Sequence, residues 1–523
     1  MSDPADAPTS RRAVNGLLKS SGIVSAMTMI SRVFGLVRDM VVAYFFGAAA
    51  GADAFFLAFR IPNLFRRLFA EGAFSQAFVP VLSEYREKRP DDVPDLINKV
   101  SGSLGVSLVM FTLLGVVGAE IIISIFAAGY IYHGETEKLA LATEMLRLTF
   151  PYLALISLTA LSGGILNTFG RFAAPAFTPV LLNLSLIGAA VLLAPRLDEP
   201  VMALAWGVLI AGVAQLTFQL PFLASEHLLP KPQVDFRDEG VRKILRLMLP
   251  AMFGASVGQV NLLLDTLLAS FLVTGSLSWL YYADRLMELP LALFGITIAT
   301  VILPTLSRQH ANASQDEVGE TLDWALRMVL LFGLPATLAL AYLAEPLIAT
   351  LFYQGEMTRN DVSMAGIALM AYAVGLVGHM MVKVLVTGYY SRQDTTTPVR
   401  SGLITLAVNM ALNLALIWSF RHAGLALATS LAAFVNAGLL FFGLRRMGVL
   451  RFQPGWFAFL ARLIAANGAM MALLYFILPA PGAWFTYEIV TRFGIMLLIC
   501  AAGAVTYAAA LLLTGFRVRD AIR

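Results

Sequence analysis

The chain has 523 residues, of which 59% are hydrophobic and only 13% charged, and its mean hydropathy is +0.77. A soluble domain carries roughly 25% charged residues, so the composition excludes an ordinary soluble fold and describes an all-α polytopic membrane protein. The net charge of +4 does not point to nucleic acid, because the basic residues fall in short loops between apolar runs, where they set topology.

Residues 1–20 are polar and basic and lack the apolar core of a signal peptide, so the first membrane segment is expected to be retained. Runs of about 20 apolar residues then recur. They predict spans at 23–46, 54–83, 100–128, 139–168, 173–194, 201–224, 245–273, 277–306, 321–353, 361–390, 397–420, 423–444, 456–479 and 485–515, fourteen transmembrane helices in all. With the N-terminus inside, the inward loops collect most of the loop arginines and lysines, from Arg86, Lys88 and Arg89 through Lys231–Arg246 to Arg445, Arg446 and Arg451. The outward loops hold only Lys138, Arg196, Arg359 and Arg421. A miscounted helix would invert this bias downstream and none is inverted, so both termini are expected to be cytoplasmic.

The chain also repeats. RDMVVAYFFGAAAGADAFFLAFRIPNLF from Arg38 parallels LDTLLASFLVTGSLSWLYYADRLMELPLALF from Leu264, bringing Asp39 onto Asp265, Arg60 onto Arg285 and Pro62 near Pro290. The copies begin six spans apart in the same orientation, which predicts parallel repeats: a polar tail (1–20), two six-helix lobes (21–226 and 227–447), and two C-terminal helices (448–523). Transporters of two such lobes bind between them and rock one against the other.

The most charged membrane stretch is Ser31–Gln76, with Arg32, Arg38, Asp39, Asp53, Arg60, Arg66, Arg67 and Glu71. A charge at membrane depth costs at least ~2.5 kcal/mol on insertion scales and usually faces a protein interior or a watery cavity. Arg32 and Asp39, seven apart, share one helix face. Asp53, Arg60, Arg67, Glu71 and Ser75 fall in one stripe, but a kink at Pro62 shifts the phase and leaves Arg66 and Arg67 as alternatives. Span 8 adds Asp284, Arg285 and Glu288 within one turn, and Lys383 and Arg462 are further candidates for a cavity wall. The preference for Arg over Lys suits bidentate recognition of phosphate or carboxylate. The plainer alternative is a set of buried ion pairs that fix the fold. A second group, Asp265, Asn409, Asn413 and Thr429, offers the hard oxygens that suit Na⁺, against the plainer reading of interhelical hydrogen bonds; Asp265 is alternatively a proton carrier. The single cysteine, Cys500, excludes a disulfide framework, and no Walker A loop or nucleophile with a positioned base is present. No enzymatic activity is expected.

The stretches SRVFGLVRD, ADAFF, AFRIPNLFRRLFAEGAFSQAFVP, GGILNTFGRF, WLYYADRLMELP and GYYSRQDTTTPV closely resemble the MurJ/MviN family of bacterial lipid II flippases, within the MOP transporter superfamily, from about Ser21 to the C-terminus. The resemblance implies a substrate, undecaprenyl-diphosphate-linked disaccharide-pentapeptide, carried from the cytoplasmic to the periplasmic leaflet of the inner membrane for peptidoglycan synthesis. It implies a cationic cavity built from Arg32, Arg38, Asp39, Asp53, Arg60, Arg66, Glu71 and Arg285, and a groove for the lipid tail formed by the last two spans. It further implies a cation site in some members, where Asn413 here replaces an acid; the drive is then Na⁺ or the membrane potential. The rival reading is a related exporter of drugs or of another polyprenyl-linked sugar. Expected partners are the substrate lipid, membrane lipids and the cell-wall synthesis machinery, with the chain itself a monomer.

Overall fold

The computed structural model describes residues 7–67, 74–312 and 315–516. Nearly every described residue outside the connections is helical, and among the described residues ten helices are long and apolar enough to cross a membrane. In lipid, a helix satisfies every backbone polar group internally, which is why apolar runs of this length fold this way.

Chain contacts divide the molecule into two units, the first comprising Met1–Phe46 and Ala50–Gln259, the second Gly47–Ala49 and Val260–Arg523. The first contains helices α1 (Ala7–Phe46), α2 (Ala50–Phe65), α3 (Phe74–Lys88), α4 (Val93–Val117), the short α5 (Ala119–Phe126) and α6 (Ala128–Tyr132), α7 (Thr136–Thr149), α8 (Tyr152–Thr168), α9 (Ala173–Gly188), α10 (Met202–Ser225) and the first part of α11 (Glu239–Ala269). Within it α1 packs on α9, α2 on α7, and α10 on both α8 and α9. The division falls inside α11 because Val241 and Ile244 are buried with Phe78, Leu82, Leu96, Ile165 and Leu223 of the first unit.

The second unit continues with α12 (Ser276–Pro290), α13 (Thr297–Ala311), α14 (Gln315–Tyr342), α15 (Ala344–Phe352), α16 (Arg359–Tyr390), α17 (Thr396–Arg446), α18 (Trp456–Ile477) and α19 (Ile489–Leu513). Its centre is α16, which packs against α12, α14, α15 and α17. Helix α16 starts on a capping box: the Thr358 hydroxyl accepts the Asp361 N–H, and the Asp361 carboxylate accepts the Thr358 N–H. The terminal pair is fastened by polar contacts. Arg492 donates to the carbonyls of Ala349 and Tyr353 at 2.9 and 2.8 Å, and Asp323 on α14 accepts from the Trp456 indole at 2.6 Å.

Several expected spans are broken helices. The second span does not break at Pro62; α2 runs through it to Phe65 and leaves α geometry at Arg66–Arg67. The missing proline N–H frees one carbonyl a turn earlier, which the helix tolerates. The fourth span is α7 and α8 joined at Phe150–Pro151. The eleventh and twelfth spans are the two arms of α17, separate helices that meet at Arg421, whose φ of 52° and ψ of −129° turn the chain. At Gly47 (φ 55°) a Cβ would sit 2.6 Å from the Glu356 carbonyl oxygen, so this turn of the second unit admits only glycine.

Candidate functional site

Two buried charges stand at the end of the charged face of α1. Arg38 and Asp39 are 8% and 3% exposed. Arg38 Nε and Nη2 donate to Asp39 Oδ1 at 3.0 and 2.6 Å, and Nη1 donates to Asn183 Oδ1 on α9 at 3.1 Å. The Asn183 amide in turn donates to the Ser31 carbonyl at 3.1 Å. The guanidinium fork is thus held in one orientation, with α1 tied to α9. Arg32 is exposed on the same helix, and Arg60 on α2 is half-buried.

Asp53, at the other end of α2, is buried against Lys138 of α7 at 3.5 Å; Lys138 also pairs with Glu135 at 3.3 Å and lies 4.1 Å over the Tyr130 ring. Lys138, expected in an outward loop, is instead a buried charge. Arg66 donates Nε to Asn63 Oδ1 at 2.9 Å and lines a cleft of about 290 Å³ with Ser75, Thr159, Thr178, Gln215 and Gln219. Arg67 occupies the same turn, half-buried, outside that cleft's lining. Glu71 lies outside the described residues.

In the second unit Asp284, Arg285 and Glu288 share one turn of α12, all half-buried. Arg285 donates to Glu288 Oε2 at 3.0 Å and to the Tyr281 hydroxyl at 3.3 Å, and its Cζ lies 4.9 Å from the Tyr281 ring centroid. Lys383 is exposed on α16 and Arg462 half-buried on α18.

The four oxygen-bearing residues singled out in α11 and α17 meet. Asn413 Nδ2 donates to Asp265 Oδ1 at 2.6 Å and to Asn409 Oδ1 at 2.7 Å, and Asn409 Nδ2 donates to Thr429 Oγ1 at 3.3 Å. Asn261, which sequence reasoning passed over, donates to Asp265 Oδ2 at 3.2 Å. Its spacing of four from Asp265 places it on the same helix face, a signal that was available. Gln215 and Gln219, likewise four apart in the apolar α10, were passed over too. Asn183 carried no such mark, because its partner Arg38 is remote in sequence.

The arrangement suits binding rather than bond-breaking: fixed guanidinium groups with amide and hydroxyl neighbours offer many donors to an anion.

A family profile described as lipid II flippase MurJ matches residues 42–493. A probable lipid II flippase MurJ of Vibrio cholerae serotype O1 is 50% identical over 510 residues, covering 96% of this chain and 97% of the relative. The lipid II flippase MurJ of Burkholderia cenocepacia is 43% identical over 457 residues, covering 86% and 88%. Among solved structures, a lipid II flippase MurJ in an inward closed conformation superposes with a TM-score of 0.78 at 26% identity, covering 96% of this chain and 99% of that one. An inward-facing multidrug resistance MATE transporter of the MOP superfamily shares the fold, with a TM-score of 0.66 at 15% identity, over 82% of this chain and 97% of that one.

Proposed function

The chain belongs to the lipid II flippase MurJ family, and from that premise we infer that it moves lipid II from the cytoplasmic to the periplasmic leaflet of the bacterial inner membrane. It is a multi-pass transporter, not an enzyme. The observation that carries this reading is full-length similarity to flippases at up to 50% identity. The MATE likeness is one of fold alone, and an arginine-rich membrane stretch would repel a cationic drug.

The physical task is to carry a diphosphate, with about two negative charges, through a layer whose interior penalises a bare ion by far more than transport can supply. Arg32, Arg38, Arg60, Arg66 and Arg285 replace the phosphate hydration, while the polyprenyl tail stays in lipid against the last two helices. The acids Asp39, Asp53, Glu71 and Glu288 temper the field, so that the load is released as well as bound. The parallel repeats support alternating access, and the distribution of loop arginines and lysines supports cytoplasmic termini. Peptidoglycan synthesis enzymes are the natural consumers of the product.

For the drive we propose a sodium site at Asp265, Asn409, Asn413 and Thr429. The donor set fits: Asn413 Oδ1 and Asn261 Oδ1 are buried with no hydrogen-bond partner, and carboxylate, amide and hydroxyl oxygens are hard ligands. A bound sodium would bring a positive charge there. The membrane potential contributes about 2.3 kcal/mol per charge per 100 mV. Asp265→Asn should abolish any sodium dependence of transport in proteoliposomes; an unchanged dependence, or none in the parent, removes the site.

The central test is depletion in cells with the leaflet of lipid II measured by an impermeant reagent. Lipid II should accumulate on the cytoplasmic side, and Arg38→Ala or Arg285→Ala should insert normally yet fail to restore growth. Normal periplasmic exposure after depletion, with no substitute flippase, would overturn the function.

A further inference from the structure

The cleft within the first unit between α3, α8, α9 and α10 has a chemistry that the diphosphate alone does not explain. Gln215 and Gln219 are 2% and 1% exposed, and both present their amide nitrogen to Thr178. Gln215 Nε2 donates to the Thr178 carbonyl at 3.0 Å, which fixes that amide's orientation because a carbonyl only accepts. Gln219 Nε2 donates to Thr178 Oγ1 at 2.9 Å. The Thr178 hydroxyl commits its proton to the Ala174 carbonyl at 3.0 Å, so it must accept from Gln219. The orientation of both side chains is therefore set, and it leaves both Oε1 atoms buried without a hydrogen-bond partner.

A buried amide oxygen without a donor is a cost that native structures seldom leave in place, and two of them one turn apart on one helix face call for a ligand. Thr159, which also lines the cleft, donates its hydroxyl proton to the Leu155 carbonyl at 2.8 Å and so offers only lone pairs to a guest. These acceptors share the lining with the Arg66 guanidinium and with Ser75, Tyr152 and Asn167, whose side chains can also donate. A diphosphate carries acceptors only and cannot satisfy these oxygens. Sugar hydroxyls and amide N–H groups can. The volume of about 290 Å³ lies at the bottom of the range for ligand pockets, roughly 300–1,000 Å³, so it holds one ring-sized group rather than a whole headgroup. Gly163 on α8 keeps that space open: a Cβ there would approach Pro175 at 3.4 Å and Gln219 Nε2 at 3.8 Å.

We propose that this cleft is a specificity subsite for the donor-rich sugar or amide group adjoining the diphosphate, with Gln215 and Gln219 as acceptors and Arg66 as the anion contact. Helix α9 links it to the charged pair on α1, since Thr178 and Asn183, the partner of Arg38, are five residues or roughly 7 Å apart along the helix. The proposal rests on the flippase reading but makes a separate claim, that the protein reads the headgroup and not only its charge.

The test compares affinities of the purified full-length protein, in nanodiscs, for lipid II and for undecaprenyl diphosphate, which lacks sugar and peptide. The parent should prefer lipid II. Gln215→Leu/Gln219→Leu should lower lipid II affinity about tenfold for each hydrogen bond lost, with undecaprenyl diphosphate unaffected. Gly163→Ala leaves the polar contacts intact and favours the helix, so it folds; its methyl should reduce the preference in the same sense. A preference retained in both variants overturns the subsite and means that water alone satisfies the glutamines. A parent protein that binds neither lipid overturns the flippase reading itself.

Discussion

Lys138 is an ammonium group taken out of water, and only its neighbours make that tolerable. Asp53 lies 3.5 Å away and Glu135 3.3 Å away, with the side chains of Lys138 and Asp53 6% and 2% exposed. Breaking a buried pair from one side usually costs about 3–5 kcal/mol, because the remaining charge loses its counterion. Lys138→Ala should therefore lower stability by about 3 kcal/mol, read as a fall in Tm of the purified protein, and Asp53→Asn/Lys138→Met should recover most of it. A single variant as stable as the parent would mean that the pair is idle. Lys138 escaped the sequence reading because it stands one residue before the apolar run from 139, so loop and helix were equally consistent with it. Arg38 and Asp39 were legible as buried charges from their setting in an apolar helix, but their partner Asn183 was not, since no local periodicity relates residues on α1 and α9. The choice between Arg66 and Arg67 for the expected anion cavity depends on backbone geometry after Pro62, which helical phase alone does not resolve; Arg66 lines the separate cleft within the first unit.

At the scale of the elements, length and apolarity marked the long helices, because lipid permits little else, whereas the interruptions depended on tertiary setting. Arg421 illustrates the difference. The sequence places it as the connection between two spans, and two helices do meet there; what the sequence does not show is the backbone, with φ 52° and ψ −129°, that turns the chain. That region suits glycine, and a side chain held there costs on the order of 1–3 kcal/mol. Arg421 is exposed, so its side chain returns little packing. Arg421→Gly should raise stability by about 1 kcal/mol, whereas Arg421→Ala should give no such gain because its Cβ keeps the strain. Thermal unfolding of the two variants beside the parent checks this, and equal behaviour of the two would remove the strain argument.

Over the whole molecule, each unit carries its own polar cluster, Arg38–Asp39–Asn183 in one and Asp265–Asn409–Asn413 in the other, of which the repeat in sequence relates only Asp39 to Asp265. What the repeat did not announce is how the first unit is closed at one end by contacts remote in sequence. The segment 231–238 straps across α4: Lys231 N–H donates to Asn98 Oδ1 at 2.6 Å, Gln233 N–H to the Asn98 carbonyl at 3.0 Å, and Asp235 N–H to Ser103 Oγ at 3.2 Å. It passes so close to Gly102 that a Cβ there would collide with the Gln233 backbone. Asp238 locks the strap, accepting from the Gly240 and Val241 N–H groups at the start of α11 and from Lys99 at 3.0 Å. Burial alone would raise the Asp238 carboxyl, but the Lys99 hydrogen bond, the two backbone donors and the Lys99 charge outweigh it and hold it below the ordinary carboxylate value. Hydrogen bonds to Asp95 and Asp238 hold the Lys99 ammonium above its own. The stabilisation from Asp238 is thus complete above the unfolded-state value of about 3.9 and disappears as pH falls through the lower folded value. That from Lys99 is complete below about 10.4 and is lost only as pH rises through its higher folded value. Hydrogen-exchange protection of the strap, corrected for intrinsic rates, should therefore stay level between about pH 5 and 9 and fall in stronger acid. Lys99→Met should lose protection already at neutral pH and flatten the acid limb, and a profile identical to the parent's would show that the strap is held by its backbone contacts to Asn98 and Ser103 alone.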